Sequence, residues 1–294
     1  DKSKYNLVFV QYFKNKNSFI CDKDKIWGNW VQSSFLMEIL EDLSLNKISC
    51  NLEDIPKKVD ILIIGFTNVT VEKLDQIIKS NNPKIVFFLS DSHGTKSKYH
   101  NILKKAKLVY REHNWNSYPC EKNIKLLPLG YHCWDKNYIN YENQIKPINK
   151  KYIWCFMGSN KGERKNNLNI FKSKLKPYFH EKTKIGENSE IYNQSIFALC
   201  LRGNNSIDCF RQYTSSKNGC IPIIICNLHD YEQSYGKYTE PPPFLRADTA
   251  MQAIEIINNL LSNYEKINEL HKKQNIWWSN IKNEIKENVN NALK

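Results

Sequence analysis

The residues best suited to hold an anion lie between two apolar runs in the second half of the chain. Arg202, Gly203 and Asn204 follow the run Phe197–Leu201, and Arg211 comes soon afterwards in a short predicted helix. A glycine lets backbone amides approach a ligand closely, and a helix N-terminus carries unpaired N–H groups and partial positive charge. The spacing favours a phosphate-binding site. An arginine that is solvated or paired with an acid is the alternative.

Residues that start and stop helices frame this short helix. Asp208 suits the N-cap of a helix that begins at Cys209, and Gly219 lies where a C′ glycine would end it. Ile221–Ile225 is apolar throughout, which is typical of a buried strand in a parallel sheet. The stretch therefore predicts a strand, a loop, a helix and a second strand, with Arg211 in the first helical turn.

A second glycine loop with basic residues follows the apolar run Tyr152–Met157. It contains Gly158, Arg164 and Lys165 and leads into a helix predicted over Asn167–Lys176. Amides and cations in such a loop suit a phosphate group. The loop is not a Walker A motif, because no Ser or Thr follows Lys165 and no glycine precedes it at the required place.

Two polar segments in the first half each place an acid close to an imidazole, just after a predicted strand. Asp91 and His93 follow Lys84–Leu89, and Glu112 and His113 follow the next apolar run. Each of these four groups can act as a general base towards an attacking hydroxyl. Loop capping is the alternative role, and a metal pair is a weaker one because the spacing matches no known ligand motif.

The elements that would position these residues alternate between strands and helices. Because the predicted strands are apolar on both faces, we expect α/β architecture with parallel sheets, whose ligands bind beyond the carboxyl ends of the strands. The strands are predicted at Tyr5–Val10, Val59–Gly65, Lys84–Leu89, Leu108–Tyr110, Ile124–Leu129, Tyr152–Met157, Phe197–Leu201 and Ile221–Ile225.

The net charge of +13 over 294 residues would suit nucleic acid, a membrane surface or an anionic small ligand. The lysines are scattered without a block of like charge, and no RNP, zinc-finger or basic-zipper pattern is present. We therefore predict no nucleic acid among the partners.

Cysteine usage and hydropathy bear on the compartment. The chain has nine cysteines, an odd number, and its sequence contains no C-x-x-C motif. Both observations argue against a disulfide framework and against a zinc site. No apolar run reaches the length of a membrane span, and no signal peptide is visible. We expect a cytoplasmic protein, with the Golgi lumen as the alternative if an N-terminal anchor has been removed.

The stretch that contains Arg211 resembles the C-terminal part of exostosin-like glycosyltransferases of the GT47 type, near the ribitol and viral xylosyltransferase group. The matching residues are Arg211, Gly219, Cys220, Ile221 and Pro222, and Gly158 and Arg164 match an earlier glycine–arginine pair. Thr214 stands where the family usually has a Glu that is expected to hold the donor ribose. A threonine hydroxyl would make a weaker hydrogen bond there.

The resemblance implies a GT-B fold, in which two Rossmann-like domains with parallel sheets face each other across a cleft and a C-terminal helix crosses back. With the polar segment Asp135–Lys151 as the linker, we expect an acceptor-side domain over 1–148, a nucleotide-sugar-binding domain over 149–275 and the returning helix over 276–294. The implied donor contacts are Gly158, Arg164, Lys165, Arg202, Gly203, Asn204, Arg211 and Thr214.

The implied activity is an inverting transfer of a sugar, with xylose favoured, from a UDP-sugar to a hydroxyl of a glycan or glycoprotein. Asp91, His93 and Glu112 are the predicted catalytic residues. Arg211 and Arg164 would neutralise the diphosphate, so the resemblance implies no metal and no cofactor beyond the UDP-sugar donor. We expect a monomer or weak dimer. A non-catalytic basic module that binds nucleic acid or an anionic glycan is the alternative function.

Overall fold

The structure, a computed structural model, describes residues 4–10, 33–65, 69–89, 97–114, 120–131, 139–180, 187–203 and 206–294. The chain divides into two compact units. The first unit comprises Asp1–Leu129 and Lys282–Lys294, and the second unit comprises Gly130–Ile281. Each unit has its own parallel sheet and its own apolar core.

The sheet of the first unit has six described strands: β1 (Tyr5–Val10), β2 (Leu45–Cys50), β3 (Ile61–Gly65), β4 (Ile85–Leu89), β5 (Leu108–Glu112) and β6 (Ile124–Leu127). Their order is β2-β1-β3-β4-β5-β6, and every pairing is parallel. β3 and β4 are buried along their whole length. The helices of this unit are α1 (Ser33–Leu40), α2 (Val71–Asn81) and α3 (Ser97–Leu103).

The sheet of the second unit has five described strands: β7 (Tyr152–Cys155), β8 (Tyr178–Phe179), β9 (Ser195–Cys200), β10 (Ile221–Ile225) and β11 (Leu245–Ala247). Their order is β11-β10-β9-β7-β8, again with parallel pairing. The helices of this unit are α4 (Glu163–Lys174), α5 (Asn188–Asn193), α6 (Phe210–Lys217), α7 (Leu228–Tyr235) and α8 (Ala250–Leu261).

The last helix, α9 (Tyr264–Leu293), begins in the second unit and ends in the first. Within the first unit, Lys282 Nζ lies 2.8 Å from the carboxylate of Glu38, and Lys84 Nζ donates to the carbonyl of Leu293 at 2.5 Å. The expected fold class of two Rossmann-like domains and a returning C-terminal helix is confirmed. Among the described residues, no helix is long and apolar enough to span a membrane.

Several boundaries differ from the prediction. Cys209 rather than Asp208 is the N-cap of α6, so Arg211 is the second helical residue. Glu112 is the last residue of β5 and not part of the loop after it. α8 also has an N-cap, Thr249, whose hydroxyl accepts from the backbone N–H of Gln252.

The predicted domain boundary after residue 148 lies inside the second unit, which begins at Gly130. The physical reason is that residues 139–150 are bonded into this unit. Gln144 donates to the carbonyl of Lys217 at 3.1 Å, and its amide oxygen lies 2.7 Å from His271 Nε2. Lys150 Nζ donates to the carbonyl of Gly219 at 2.9 Å, so the segment is not a free linker.

Gly219 has a left-handed backbone with φ of 76°, and a Cβ there would lie 2.5 Å from Gln144 Oε1. We predict that Gly219→Ala lowers the free energy of unfolding by roughly 3 kcal/mol, from backbone strain and overpacking together. Gly162→Ala is the matched control, since Gly162 has φ of 55° and nothing within 4 Å of its Cβ position. It should cost about 1–2 kcal/mol, from backbone strain alone. Equal losses in urea unfolding would contradict the packing argument.

Candidate nucleotide-binding site

The strand order of the second sheet reverses at β7. β7 pairs with β8 on one side and with β9 on the other, so the chain first adds a strand towards one edge of the sheet and then adds the next strands towards the opposite edge. In open parallel sheets, ligands bind in the crevice that such a switch leaves at the carboxyl ends of the strands. The segments after β7 and β9 hold the glycine loops predicted to contact a phosphate.

Arg211 fastens these two segments together. Its Nε donates to the carbonyl of Met157 at 3.2 Å, and its Nη1 donates to the carbonyl of Leu201 at 3.1 Å. The guanidinium carbon lies 4.7 Å from the ring centroid of Phe156, a cation–π arrangement. A Cβ at Gly158 would lie 2.7 Å from Arg211 Nη2, so a side chain at that position would displace the guanidinium.

Arg164, in the first turn of α4, joins the same two segments a second time. Its Nε donates to the carbonyl of Arg202 at 2.9 Å, and its Nη1 donates to Ser159 Oγ at 3.0 Å. Burial, and then the charge of Arg211, lower the pKa of Arg164 below its ordinary value. Among the described ion pairs, none joins Arg164 or Arg211 to a carboxylate. An anion placed here would relieve their mutual repulsion.

A cavity of about 420 Å³ opens beside Arg164 at the carboxyl ends of β9, β10 and β11. Arg164 and Arg202 supply cations to its lining, and Glu163, Asp230 and Asp248 supply carboxylates. The N-terminal residues of α4, α7 and α8 also reach this lining, which brings the positive ends of three helix dipoles to one place. The volume lies within the range of small-molecule sites.

The structure brings most of the predicted donor residues together. Gly158, Arg164, Arg202 and Arg211 meet at the ends of β7 and β9. Of these four, Arg164 and Arg202 line the cavity, whereas Gly158 and Arg211 do not, so their predicted donor contacts stay predictions. Gly203 closes the turn after β9, where its N–H donates to the carbonyl of Ser206 at 2.6 Å.

The remaining predicted residues lie elsewhere. Lys165 is exposed and does not line the cavity. The Thr214 hydroxyl is enclosed inside the unit, without a hydrogen-bond partner among the residues that the structure describes, and it does not line the cavity. Glu112 belongs to the first unit. Asn204, Asp91 and His93 lie outside the described residues, so their predicted roles stay predictions.

None of the three carboxylates of the cavity, Glu163, Asp230 and Asp248, was among the predicted site residues. Asp230 lies in the first turn of α7, a helix that was not predicted, and Asn227 is its N-cap. Asn227 Oδ1 accepts from the backbone N–H of Asp230 at 2.8 Å. The signal was present as Asn-x-x-Asp after an apolar strand, a pattern typical of a helix start.

Comparison with known proteins gives structural neighbours only. No family model matches the chain, and no curated protein matches it. An alpha-glucosyltransferase in complex with UDP and a 13-mer DNA is 12% identical with a TM-score of 0.53, covering 92% of this chain and 93% of that one. The DNA-modifying enzyme beta-glucosyltransferase is 12% identical with a TM-score of 0.52, covering 98% and 99%.

A third similar structure, alpha-glucosyltransferase with UDP and DNA that contains an HMU base, is 11% identical with a TM-score of 0.50 and covers 93% of this chain and 94% of that one. At this identity the likeness establishes the GT-B fold alone. The comparisons give no support to membership of the exostosin-like GT47 family. The predicted partners are wrong: a glycan acceptor without nucleic acid conflicts with neighbours that hold DNA.

We predict that Arg211→Ala lowers the free energy of unfolding by about 2 kcal/mol, because the carbonyls of Met157 and Leu201 lose their donors and Phe156 loses a packing partner. Arg202→Ala is the matched control, since the Arg202 side chain is exposed. Its effect should stay within about 0.5 kcal/mol. Chemical denaturation of both variants measures this, and an Arg211→Ala protein as stable as the wild type would disprove the bracing role.

Proposed function

We propose that this protein is a glycosyltransferase that moves glucose from UDP-glucose to a hydroxyl group carried by DNA. The observation that carries the proposal is the cavity at the carboxyl ends of β9, β10 and β11, where Arg164 and Arg202 meet three helix N-termini. This combination suits a diphosphate. A protein of similar overall fold has been solved in complex with UDP.

The cavity offers both cations and carboxylates, the two kinds of group that a ribonucleoside diphosphate would contact. The diphosphate would bind at Arg164 and Arg202, with Arg211 close behind them. The ribose hydroxyls would donate to Asp230 and Asp248, which line the same cavity. As the bond to the sugar breaks, negative charge grows on the diphosphate, and fixed cations nearby stabilise that charge.

Two observations favour DNA as the acceptor. Neighbouring folds have been solved with DNA bound. The net charge of +13 would attract a polyanion, because each neutralised phosphate releases counterions. Glucose replaces xylose as the proposed sugar, since the similar structures are glucosyltransferases and no finding supports xylose. Inversion at the anomeric carbon is part of the proposal.

We predict that Arg164→Ala weakens UDP binding by about 10- to 100-fold, because a charge-assisted hydrogen bond to phosphate is lost. Lys165→Ala is the matched control, because Lys165 is the next residue and is exposed outside the cavity. It should bind UDP with nearly wild-type affinity. Titration calorimetry measures the affinity of both variants for UDP. Equal effects of the two substitutions would contradict the assignment of the cavity as the UDP-binding site.

The function itself is tested by incubating the protein with UDP-glucose and duplex DNA that contains a hydroxymethyl-uracil (HMU) base. We expect the DNA strand to gain the mass of one hexosyl group, and we expect transfer to continue in EDTA because side-chain cations face the diphosphate. Unmodified DNA is the control. DNA binding without any transfer, under conditions where UDP-glucose is bound, would favour the non-catalytic module instead.

A further inference from the structure

Lysines lie before several strands of the first sheet, at its amino edge. Lys84 is the residue before β4, and Lys107 is the residue before β5. The two positions are neighbours across the sheet, because Ile85 and Leu108 are paired. Lys122 continues the series two residues before β6. Like charges at neighbouring positions of adjacent strands repel, so this arrangement costs stability unless something else makes use of it.

The series extends to β1 and β3 within the same unit. Lys4 and Lys58 each lie three residues before a member of the pair Leu7–Ile61. Adjacent strands of a sheet are about 4.8 Å apart, so the series spans about 19 Å from β1 to β6. The sheet thus gathers at one edge residues that are far apart in the sequence. We call them the lysine row: Lys4, Lys58, Lys84, Lys107 and Lys122.

Side-chain contacts show that ammonium groups of the row come together in space. Lys4 Nζ and Lys84 Nζ lie 5.2 Å and 5.8 Å from the ring centroid of Tyr5, so both face the same ring. Lys84 Nζ and Lys107 Nζ also donate to carbonyls of the last two residues of α9, at 2.5 Å and 2.8 Å. Cations stabilise the carbonyl end of a helix, which gives these two lysines a structural task. That task neutralises no charge, because a carbonyl is not an anion.

The positive charge of the row is not compensated within the chain. Among the described ion pairs, none joins a member of the lysine row to a carboxylate. Asp60 and Glu121 lie within two residues of row members, yet both have other partners. Asp60 accepts from the backbone N–H of Asn6 at 2.8 Å, and Glu121 lies 2.6 Å from Lys104 Nζ. The row therefore offers its charge to an anion outside the chain.

Building on the proposed transfer to DNA, we propose that the lysine row is a surface that binds the phosphate backbone of duplex DNA. Each strand of DNA carries one phosphate per roughly 3.4 Å of helix axis, so a row about 19 Å long matches about five or six phosphates. Single charges spaced along a line suit a rod-like polyanion, and lysine binds phosphate as a point charge.

The position of the row determines what such contacts would do. Ligands of parallel sheets bind at the carboxyl ends of the strands, and the row lies at the amino ends. Contacts with phosphates hold a protein on DNA without reading its sequence. The row would therefore keep the protein on its polymeric acceptor through contacts that lie apart from the reacting hydroxyl.

The test combines Lys58→Gln with Lys122→Gln, because both side chains are exposed and neither makes a hydrogen bond or ion pair in the described part of the chain. We expect this double variant to bind an unmodified duplex of about 20 base pairs about 10-fold more weakly near 0.15 M salt. The slope of log Kd against log salt should fall by about 2, one for each lost phosphate contact. Fluorescence anisotropy measures both quantities.

The matched control combines Lys272→Gln with Lys273→Gln, which removes the same charge from exposed positions of α9 in the second unit. It should keep an affinity and a salt slope close to those of the wild type. Thermal unfolding checks that both double variants are folded, and their Kd for UDP should stay within about twofold of the wild-type value.

Equal DNA affinities and equal salt slopes in the two double variants would overturn the proposal. So would a row variant that keeps its affinity for DNA but loses affinity for phosphatidylserine vesicles or heparin, since the partner would then be a membrane surface or an anionic glycan. Wild-type protein that binds duplex DNA but transfers no hexose to the HMU base would instead overturn the proposed function. The two failures are therefore distinguishable.

Discussion

The second unit depends on one side chain that joins two strand ends. The guanidinium of Arg211 donates to the carbonyl of Met157 beyond β7 and to the carbonyl of Leu201 beyond β9. These strands are neighbours at the switch of the sheet, where the connections diverge. Without a donor between them, both carbonyls would lose a hydrogen bond in a partly buried place. The absence of a side chain at Gly158 leaves the room that this guanidinium occupies.

The same arrangement sets the electrostatics of the cavity. Arg164 also joins the segments that follow β7 and β9. The two guanidinium groups therefore lie close enough for the charge of Arg211 to lower the pKa of Arg164. A protein that needed only mechanical bracing would gain from a carboxylate between them, and no described ion pair supplies one. A bound diphosphate would supply the missing negative charge, while the hydrogen bonds to backbone carbonyls hold the two guanidinium groups in place. The bracing role and the proposed binding role are therefore compatible in the same residues.

Sequence patterns predicted the elements whose physical signals are local. β10 was predicted residue for residue, because Ile221–Ile225 is wholly apolar and follows a glycine helix stop. β2 was missed because Asn46, Lys47 and Ser49 interrupt its apolar pattern. β8 was missed because two residues carry no periodicity. α7 was missed because its polar and aromatic composition has no clear apolar stripe.

The site was predictable only in part, because spacing along a chain does not report distance in space. The glycines and arginines after β7 and β9 were found from their loops. Thr214 was placed at the donor by resemblance, whereas its hydroxyl is enclosed inside the unit. Asp230 and Asp248 line the cavity because β10 and β11 lie beside β9 in the sheet, and the sequence does not show this strand order. Scattered lysines were taken as evidence against nucleic acid, yet folding can gather residues that are far apart in sequence.

A crystal structure of the protein with UDP tests the central claim most directly. We expect the diphosphate within hydrogen-bonding distance of Arg164 and Arg202, beside the segments that Arg211 joins. UDP bound at any other place, with these arginines in contact only with protein and water, would contradict the account.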